Sequence, residues 1–226
     1  MGETPASVAV DAAGNVYVTG NFSGTSNFGG GDLVSAGGVE MFLAKYNAAG
    51  VHQWSTRFGS TSTDAGNALA VDASGNVLVV GYFIGTVDFG GGGLAGAGAR
   101  EAFLAKYNSA GVHQWSVRFG STGNDDARGL AVDASGNAVI TGTFTGTVDF
   151  GGGGLVSVGS TDVFIAAYNP AGVHLWSRSS GSTTGDNGQS VAVDAAGNVF
   201  ATGNFSLSAD FGGGALVSSG ASDCYL

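Results

Sequence analysis

One spacing, 61 residues, runs through the whole chain. The motif Asp-Ala-Ala/Ser-Gly-Asn begins at Asp11, Asp72, Asp133 and Asp194. Phe-Gly-Gly-Gly begins at Phe28, Phe89, Phe150 and Phe211, and Gly-Val-His-x-Trp places Trp54, Trp115 and Trp176 at the same interval. Glu3 falls in register with Asp64, Asp125 and Asp186. No insertion breaks the register, so the 226 residues hold about 3.7 copies, approximately 1–61, 62–122, 123–183 and 184–226, the last incomplete. A fixed period of this length marks a repeat architecture, in which each copy is one small unit that buries its apolar surface against the next.

Each unit reads as four short strands. Ser7–Val10 alternates small and β-branched residues, as a half-buried strand does. Asp11–Asn15 is a tight turn, because the Asp side chain can accept from the amides that follow it and Gly-Asn tolerates positive φ. Val16–Phe22 is the second strand, and a Gly-rich excursion runs from Ser23 to about Glu40. Met41–Tyr46 is the third strand, Asn47–Gly50 a second turn, and Val51–Phe58 the fourth strand. No segment carries a capped 3.6-residue apolar period, so almost no helix is expected.

Composition narrows the class further. Glycine supplies 43 of 226 residues, yet only two are proline and glycine has no three-residue period, which excludes collagen. With 43% hydrophobic and 11% charged residues the chain is not a disordered polyelectrolyte. A turn-dense β protein remains. The formal net charge of −10 with seven Lys and Arg argues against nucleic acid and anionic membrane as partners, both of which are bound by basic patches. One cysteine, Cys224, excludes an intrachain disulfide framework and a multi-cysteine metal site. No apolar run approaches the roughly 18–20 residues of a membrane helix, so no membrane insertion is expected. Residues 1–14 carry neither a basic n-region nor an apolar h-region, so no signal peptide is read there; a secreted protein would carry its leader upstream.

Val16, Val18 and Phe22 alternate with Tyr17 along the second strand, so both faces of the sheet are apolar and a single sheet cannot stand alone in water. Stacking copies radially buries both faces and gives a β-propeller. A linear solenoid is the rival, but its coils are usually about 20–30 residues long. The fold expectation is therefore an all-β propeller of four-stranded antiparallel blades. The last copy stops within its third strand, at Asp223–Leu226. That leaves two readings, a four-bladed ring lacking one strand or a fragment of a larger array; an incomplete ring could oligomerise.

Residues 9–20, AVDAAGNVYVTG, resemble the core of the bacterial SBBP β-propeller repeat family, and residues 70–81, 131–142 and 192–203 match it with substitutions at the aromatic position. The NHL-type repeat is a near relative with the same hairpin in a shorter unit. The resemblance implies a propeller fold and a secreted or surface-attached protein; it implies no particular activity.

Several recurring residues are candidates for a site. Glu3, Asp64, Asp125 and Asp186 could form a ring of carboxylates around a propeller axis and hold Ca²⁺, a hard cation that prefers oxygen ligands; alternatively they serve the loops they stand in. No other cofactor is expected. Asp11, Asp72, Asp133 and Asp194 read as turn caps. His52, His113 and His174 each stand two residues before Trp54, Trp115 and Trp176, which in a regular strand puts both rings on one face. Such a pair could stack on a sugar, or the Trp could fill the wedge between blades. Phe-Gly-Gly-Gly, preceded by Asn27, Asp88, Asp149 or Asp210, lacks the Lys-Ser/Thr of a P-loop and reads as a loop approaching another backbone closely. There is no Gly-x-Ser-x-Gly and no His-Glu-x-x-His. The non-repeating positions Arg100, Glu101, Asp126, Arg128 and Cys224 suggest no mechanism.

The expected function is thus a non-enzymatic extracellular scaffold or binding module that meets protein or glycan at a cell surface. A multivalent carbohydrate-binding propeller is one alternative. A lyase or hydrolase site built from loops at one channel mouth is another.

Overall fold

The computed structural model describes residues 2–226, and it contains strands and turns with no helix among them. The strands fall into two compact units, residues through Gly96 with Ala102–Arg118, and Ala97–Glu101 with Phe119–Leu226.

The first unit is built on β1 (Thr4–Val10), β2 (Val16–Asn27), β3 (Asp32–Tyr46) and β4 (His52–Phe58), followed by β5 (Ala65–Val71), β6 (Val77–Phe83), β7 (Thr86–Asp88), β8 (Gly93–Ala95), β9 (Glu101–Tyr107) and β10 (His113–Phe119). β1 to β4 form one antiparallel meander, and β5, β6, β9 and β10 form the next. The second unit repeats the plan with β11 (Asp126–Val132), β12 (Ala138–Phe144), β13 (Thr147–Asp149), β14 (Gly154–Val156), β15 (Asp162–Tyr168) and β16 (His174–Ser180). It continues with β17 (Asn187–Val193), β18 (Val199–Phe205), β19 (Ser208–Asp210), β20 (Ala215–Val217) and β21 (Asp223–Tyr225). β11-β12-β15-β16 is a four-stranded sheet and β17-β18-β21 a three-stranded one.

The turns form as their residues dictate. Asp11 Oδ1 accepts from the amides of Ala13 (3.0 Å) and Asn15 (2.8 Å), while Oδ2 accepts from Asn15 Nδ2 (2.8 Å). Asp72, Asp133 and Asp194 repeat the pattern. Asn47, Asn108 and Asn169 close the later turn through Oδ1 in the same way.

The Gly-rich excursion is more ordered than a loop. In the first repeat it simply prolongs β2 and β3, which stay paired out to Asn27 and Asp32. In the later repeats it is a separate small hairpin: β7-β8, β13-β14 and β19-β20.

Both sheet faces are apolar, as the alternation in β2 predicts. Tyr17, Met41 and Leu43 on one face of the first sheet are buried in a single cluster with Val79, Phe89 and Phe103 of the second. Phe22, Phe42 and Ala44 form a separate buried cluster with Val18 and Phe28 packed on it. In the second unit, Val139 and Ala167 pack on Val191 of the neighbouring sheet. Sheet-on-sheet stacking is therefore what buries the aromatic core, and each buried Phe or Leu contributes about 1.5–3 kcal/mol.

Every first strand carries a bulge at the same register. In β5 it lies between Gly66 and Ala68, opposite Gly81 and Val80 of β6, and β1, β11 and β17 share it. A Cβ at Gly81 would lie 1.8 Å from the Ala65 carbonyl oxygen. Glycine is the one residue that lets β6 pass the bulge this closely.

Candidate functional site

The recurring acids converge on the connections between consecutive sheets. Asp64 is buried, and its Oδ2 accepts from Ser60 N (2.6 Å) and Ser60 Oγ (3.0 Å), while Oδ1 accepts from Ile84 N (2.9 Å). Its own amide donates to Val39 O (2.8 Å). The side chain thus clasps the linker before β5 to the far end of β6, and the main chain of the same residue ties both to the middle of β3 in the preceding sheet. Asp125 does the same with Ser121 N (2.7 Å) and Thr145 N (2.8 Å), and Asp186 with Ser182 N (2.5 Å) and Ser206 N (2.8 Å).

Glu3 differs from its counterparts. It is exposed, and its carboxyl is held below its ordinary value, first by a bond from the Ser26 side chain. Among the described residues no three His, Cys, Asp or Glu side chains are grouped as a metal ion would require. The reason the acid recurs is local: the orphan amides of the linker and of β6 need an acceptor.

A second set of acids was hidden in the register. Glu40, Glu101, Asp162 and Asp223 also stand 61 residues apart, so Glu101 is a repeating position and not an isolated one. Glu40, Glu101 and Asp162 are buried. Each accepts from the segment three or four residues before it: Glu40 from Ala36 N, Glu101 from Ala97 N (2.6 Å) and Gly98 N (2.9 Å), Asp162 from Val158 N (2.9 Å). Glu40 is neutralised by Arg57 at 2.6 Å. In the third repeat the residue in register with Arg57 is Ser179, and Asp162 Oδ1 is buried without a partner.

Burial pushes the Asp162 carboxyl above its ordinary value; the Val158 amide pulls it partly back and the Asp186 carboxylate raises it further. The folded state therefore holds the Asp162 proton more tightly than the unfolded chain does, so ionising this carboxyl opposes folding. Asp162→Asn is expected to raise the urea midpoint at pH 7. That gain should shrink as pH falls and be gone below the ordinary aspartate value, at roughly pH 3, where the wild-type carboxyl is protonated in both states. Urea titrations of the two proteins at several pH values check this.

The His–Trp pairs do not share a face. Lys45 pairs with Trp54 and Tyr46 with His52, which leaves Gln53 as an extra residue in β4. This bulge reverses the alternation between the two rings. Trp54 packs edge-on to Tyr17 (6.2 Å) and donates from Nε1 to Ser109 O (3.2 Å), on the face toward the second sheet. His52 packs instead against Tyr46 (5.8 Å) and bonds Ser55 Oγ (3.1 Å). The same bulge separates His174 from Trp176, across Leu175. A two-ring sugar platform on one face is not formed.

The histidines explain the glycine motif. A Cβ at Gly91 would stand 2.4 Å from His113 Cε1, and Gly30 and Gly152 face His52 and His174 in the same way. The hairpin tip lies on an imidazole, not on another backbone as its glycines suggest. Asp88 and Asp149 close the tips by accepting from Gly90 N and Gly151 N (both 2.7 Å), and Asn27 does so for Gly29 N (2.8 Å).

The remaining candidates are structural neighbours. Arg128 sits at the β11 bulge, bonding Asp126 Oδ2 (3.1 Å) and Asn187 Oδ1 (3.2 Å). Arg100 makes a parallel bridge to Asn124, and Cys224 is exposed.

Concave features remain in both units, among them a small polar cleft of about 140 Å³ between the Asp133 and Asp194 turns. In the first unit a polar cleft of about 480 Å³ lies between the Asp11 and Asp72 turns, with Lys45 on its wall; both carboxylates are occupied by their own turns. In the second unit an apolar groove of about 220 Å³ runs between β15-β16 and β18-β21.

A tandem array of four-stranded antiparallel meanders with buried aromatic faces and acid-clasped linkers is the class this geometry defines. Residues 53–82, which span β4 through most of β6, match the SBBP β-propeller repeat. The chain is 30% identical to an uncharacterized WD repeat-containing protein of Acanthamoeba polyphaga mimivirus, over 64% of this chain and 12% of that protein. It is 26% identical to the regulatory protein FlaEY of Caulobacter vibrioides, over 70% of this chain and 17% of that one. It therefore spans under a fifth of the length of these relatives. A solved structure of a protein of unknown function from Bacteroides caccae superposes with a TM-score of 0.47 at 13% identity, covering 89% of this chain and 53% of that one. No helix among the described residues is long and apolar enough to cross a membrane.

Proposed function

We propose that the chain is a non-enzymatic repeat module that binds or scaffolds other proteins outside the cell, with its contacts made by turns and hairpin tips. The observation that carries this reading is a division of labour within each repeat. The acids and histidines that could do chemistry are engaged in holding linkers and hairpins. Meanwhile every full repeat presents the same exposed apolar residue beside its second turn: Val51, Val112 and Val173, at 57, 58 and 59% exposure. Equivalent exposed positions suit a partner gripped at several points, where avidity replaces a single deep pocket. The carbohydrate reading loses its support with the His–Trp platform, since the two rings lie on opposite faces.

Binding of the immobilised protein to a panel of extracellular proteins and glycans, followed by interferometry, tests this. A protein partner should be retained, and its dissociation should quicken stepwise as Val51, Val112 and Val173 are changed to serine one after another. Turnover of a polysaccharide or ester substrate that one acidic substitution abolishes would replace this reading with an enzyme.

A further inference from the structure

The third repeat keeps the buried acids of the first and gives up their cation. In the first repeat Glu40 and Asp64 are both buried. They converge on Gly59, where an added Cβ would lie 2.5 Å from Glu40 Cγ and 3.0 Å from Asp64 Oδ2. Carboxylates placed this way repel each other, and burial removes the water that would screen them. The Arg57 guanidinium offsets that charge. Its Nη1 donates to Glu40 Oε2 at 2.6 Å, while the Arg57 side chain is 38% exposed. The cation thus comes in from the surface and reaches an acid that is itself buried.

Two repeats later Asp162 stands in register with Glu40 and Asp186 with Asp64, and both are buried. Asp186 accepts from the Ser182 and Ser206 amides as Asp64 does from Ser60 and Ile84. Asp162 Oδ2 accepts from Val158 N, and an added Cβ at Gly181 would lie 2.5 Å from Asp162 Oδ1. The guanidinium position is what changes. Ser179 replaces Arg57, and Asp162 is one methylene shorter than Glu40, so charge and volume are removed together. Arg178 does not take over: it pairs with Ile165, and alternation along β16 turns it to the face opposite Ser179. Asp162 is 1% exposed, and its Oδ1 has no hydrogen-bond partner among the described residues. The neighbouring Asp186 carboxylate adds to the cost of ionising it.

We infer that the third repeat binds a guanidinium group from another molecule, in the place that Arg57 fills in the first repeat, with Asp162 as its acceptor. A guanidinium is planar, carries five N–H donors and is more weakly hydrated than an ammonium, which suits it to a buried carboxylate. A calcium ion needs six to eight oxygen ligands, and no three acidic or histidine side chains are grouped for one among the described residues. The net charge of −10 draws cationic ligands toward the protein. An arginine side chain of a partner and a free guanidinium compound offer the same chemistry.

The test titrates the intact, isotope-labelled protein with ethylguanidinium chloride at neutral pH and follows amide NMR shifts. Saturable shifts are expected at residues 158–162 and 179–182, and ethylammonium chloride at equal concentration should produce none there. These shifts in the unaltered protein need no variant to fold. Asp162→Asn should weaken binding at least about tenfold, the loss expected when a charged acceptor is removed. Ser179→Arg should abolish binding by supplying the cation within the chain, and should raise the urea midpoint. N-acetylarginine amide binding as tightly as ethylguanidinium marks a polypeptide arginine as the occupant; its exclusion marks a free guanidinium compound. An equal response to ethylammonium, the same shifts from calcium chloride, or binding retained in both variants would each overturn the assignment. So would the lack of any saturable shift below concentrations that unfold the protein. None of these outcomes involves Val51, Val112 or Val173, so this site and the scaffold reading fail separately.

Discussion

Phe89→Ala should lower the unfolding free energy by about 3–5 kcal/mol, the range for truncating a fully buried aromatic ring. Phe89 is 1% exposed. It lies 4.4 Å from Phe103, 5.9 Å from Phe83 and 5.8 Å from Phe58. Phe58 belongs to the preceding sheet, so the substitution opens the seam between sheets as well as the interior of one. The in-register Phe211→Ala should cost about 2 kcal/mol or less, because Phe211 is only partly buried and no aromatic from β16 reaches it. Urea unfolding of both variants measures the contrast. Equal losses would mean that the seam contributes nothing beyond each sheet.

Gly81→Ala should be comparably damaging, by about 3 kcal/mol, although it adds one methyl group. The added carbon would collide with the Ala65 carbonyl oxygen and approach Phe103 Cε1 at 3.0 Å. The oxygen belongs to paired backbone, so the strands must part or the bulge must move. Gly213→Ala is the control: nothing lies within 4 Å of its added carbon, and its effect should stay within about 0.5 kcal/mol. Denaturant midpoints decide the matter. A tolerated Gly81→Ala would show that the β5–β6 register is looser than the pairing describes.

These contrasts also mark what could be read from the sequence. The 61-residue period is legible because short identical motifs recur in register, and the Asp11-type turns because their partners lie within a few positions of one another. The Asp64 clasp was not readable, because its partners Ser60 and Ile84 lie 4 and 20 residues away on separate loops. Strict alternation through Gln53 puts His52 and Trp54 on one face; the bulge reverses it, and no residue there announces one. Glu101 looks isolated by identity because its repeat counterparts mix Glu and Asp; charge, not identity, carries that register. The Gly-rich hairpins look like loops because their strands β7 and β8 are three residues each, too short for a period to show.

The acid clasps have a consequence for how such a chain would bear load. Each linker between consecutive sheets is the point at which tension along the backbone enters the next sheet. At Asp64, Asp125 and Asp186 that point is fastened to the far end of the second strand. Tension would thus be shared across a sheet before its first strand could peel, and the hold is renewed every 61 residues.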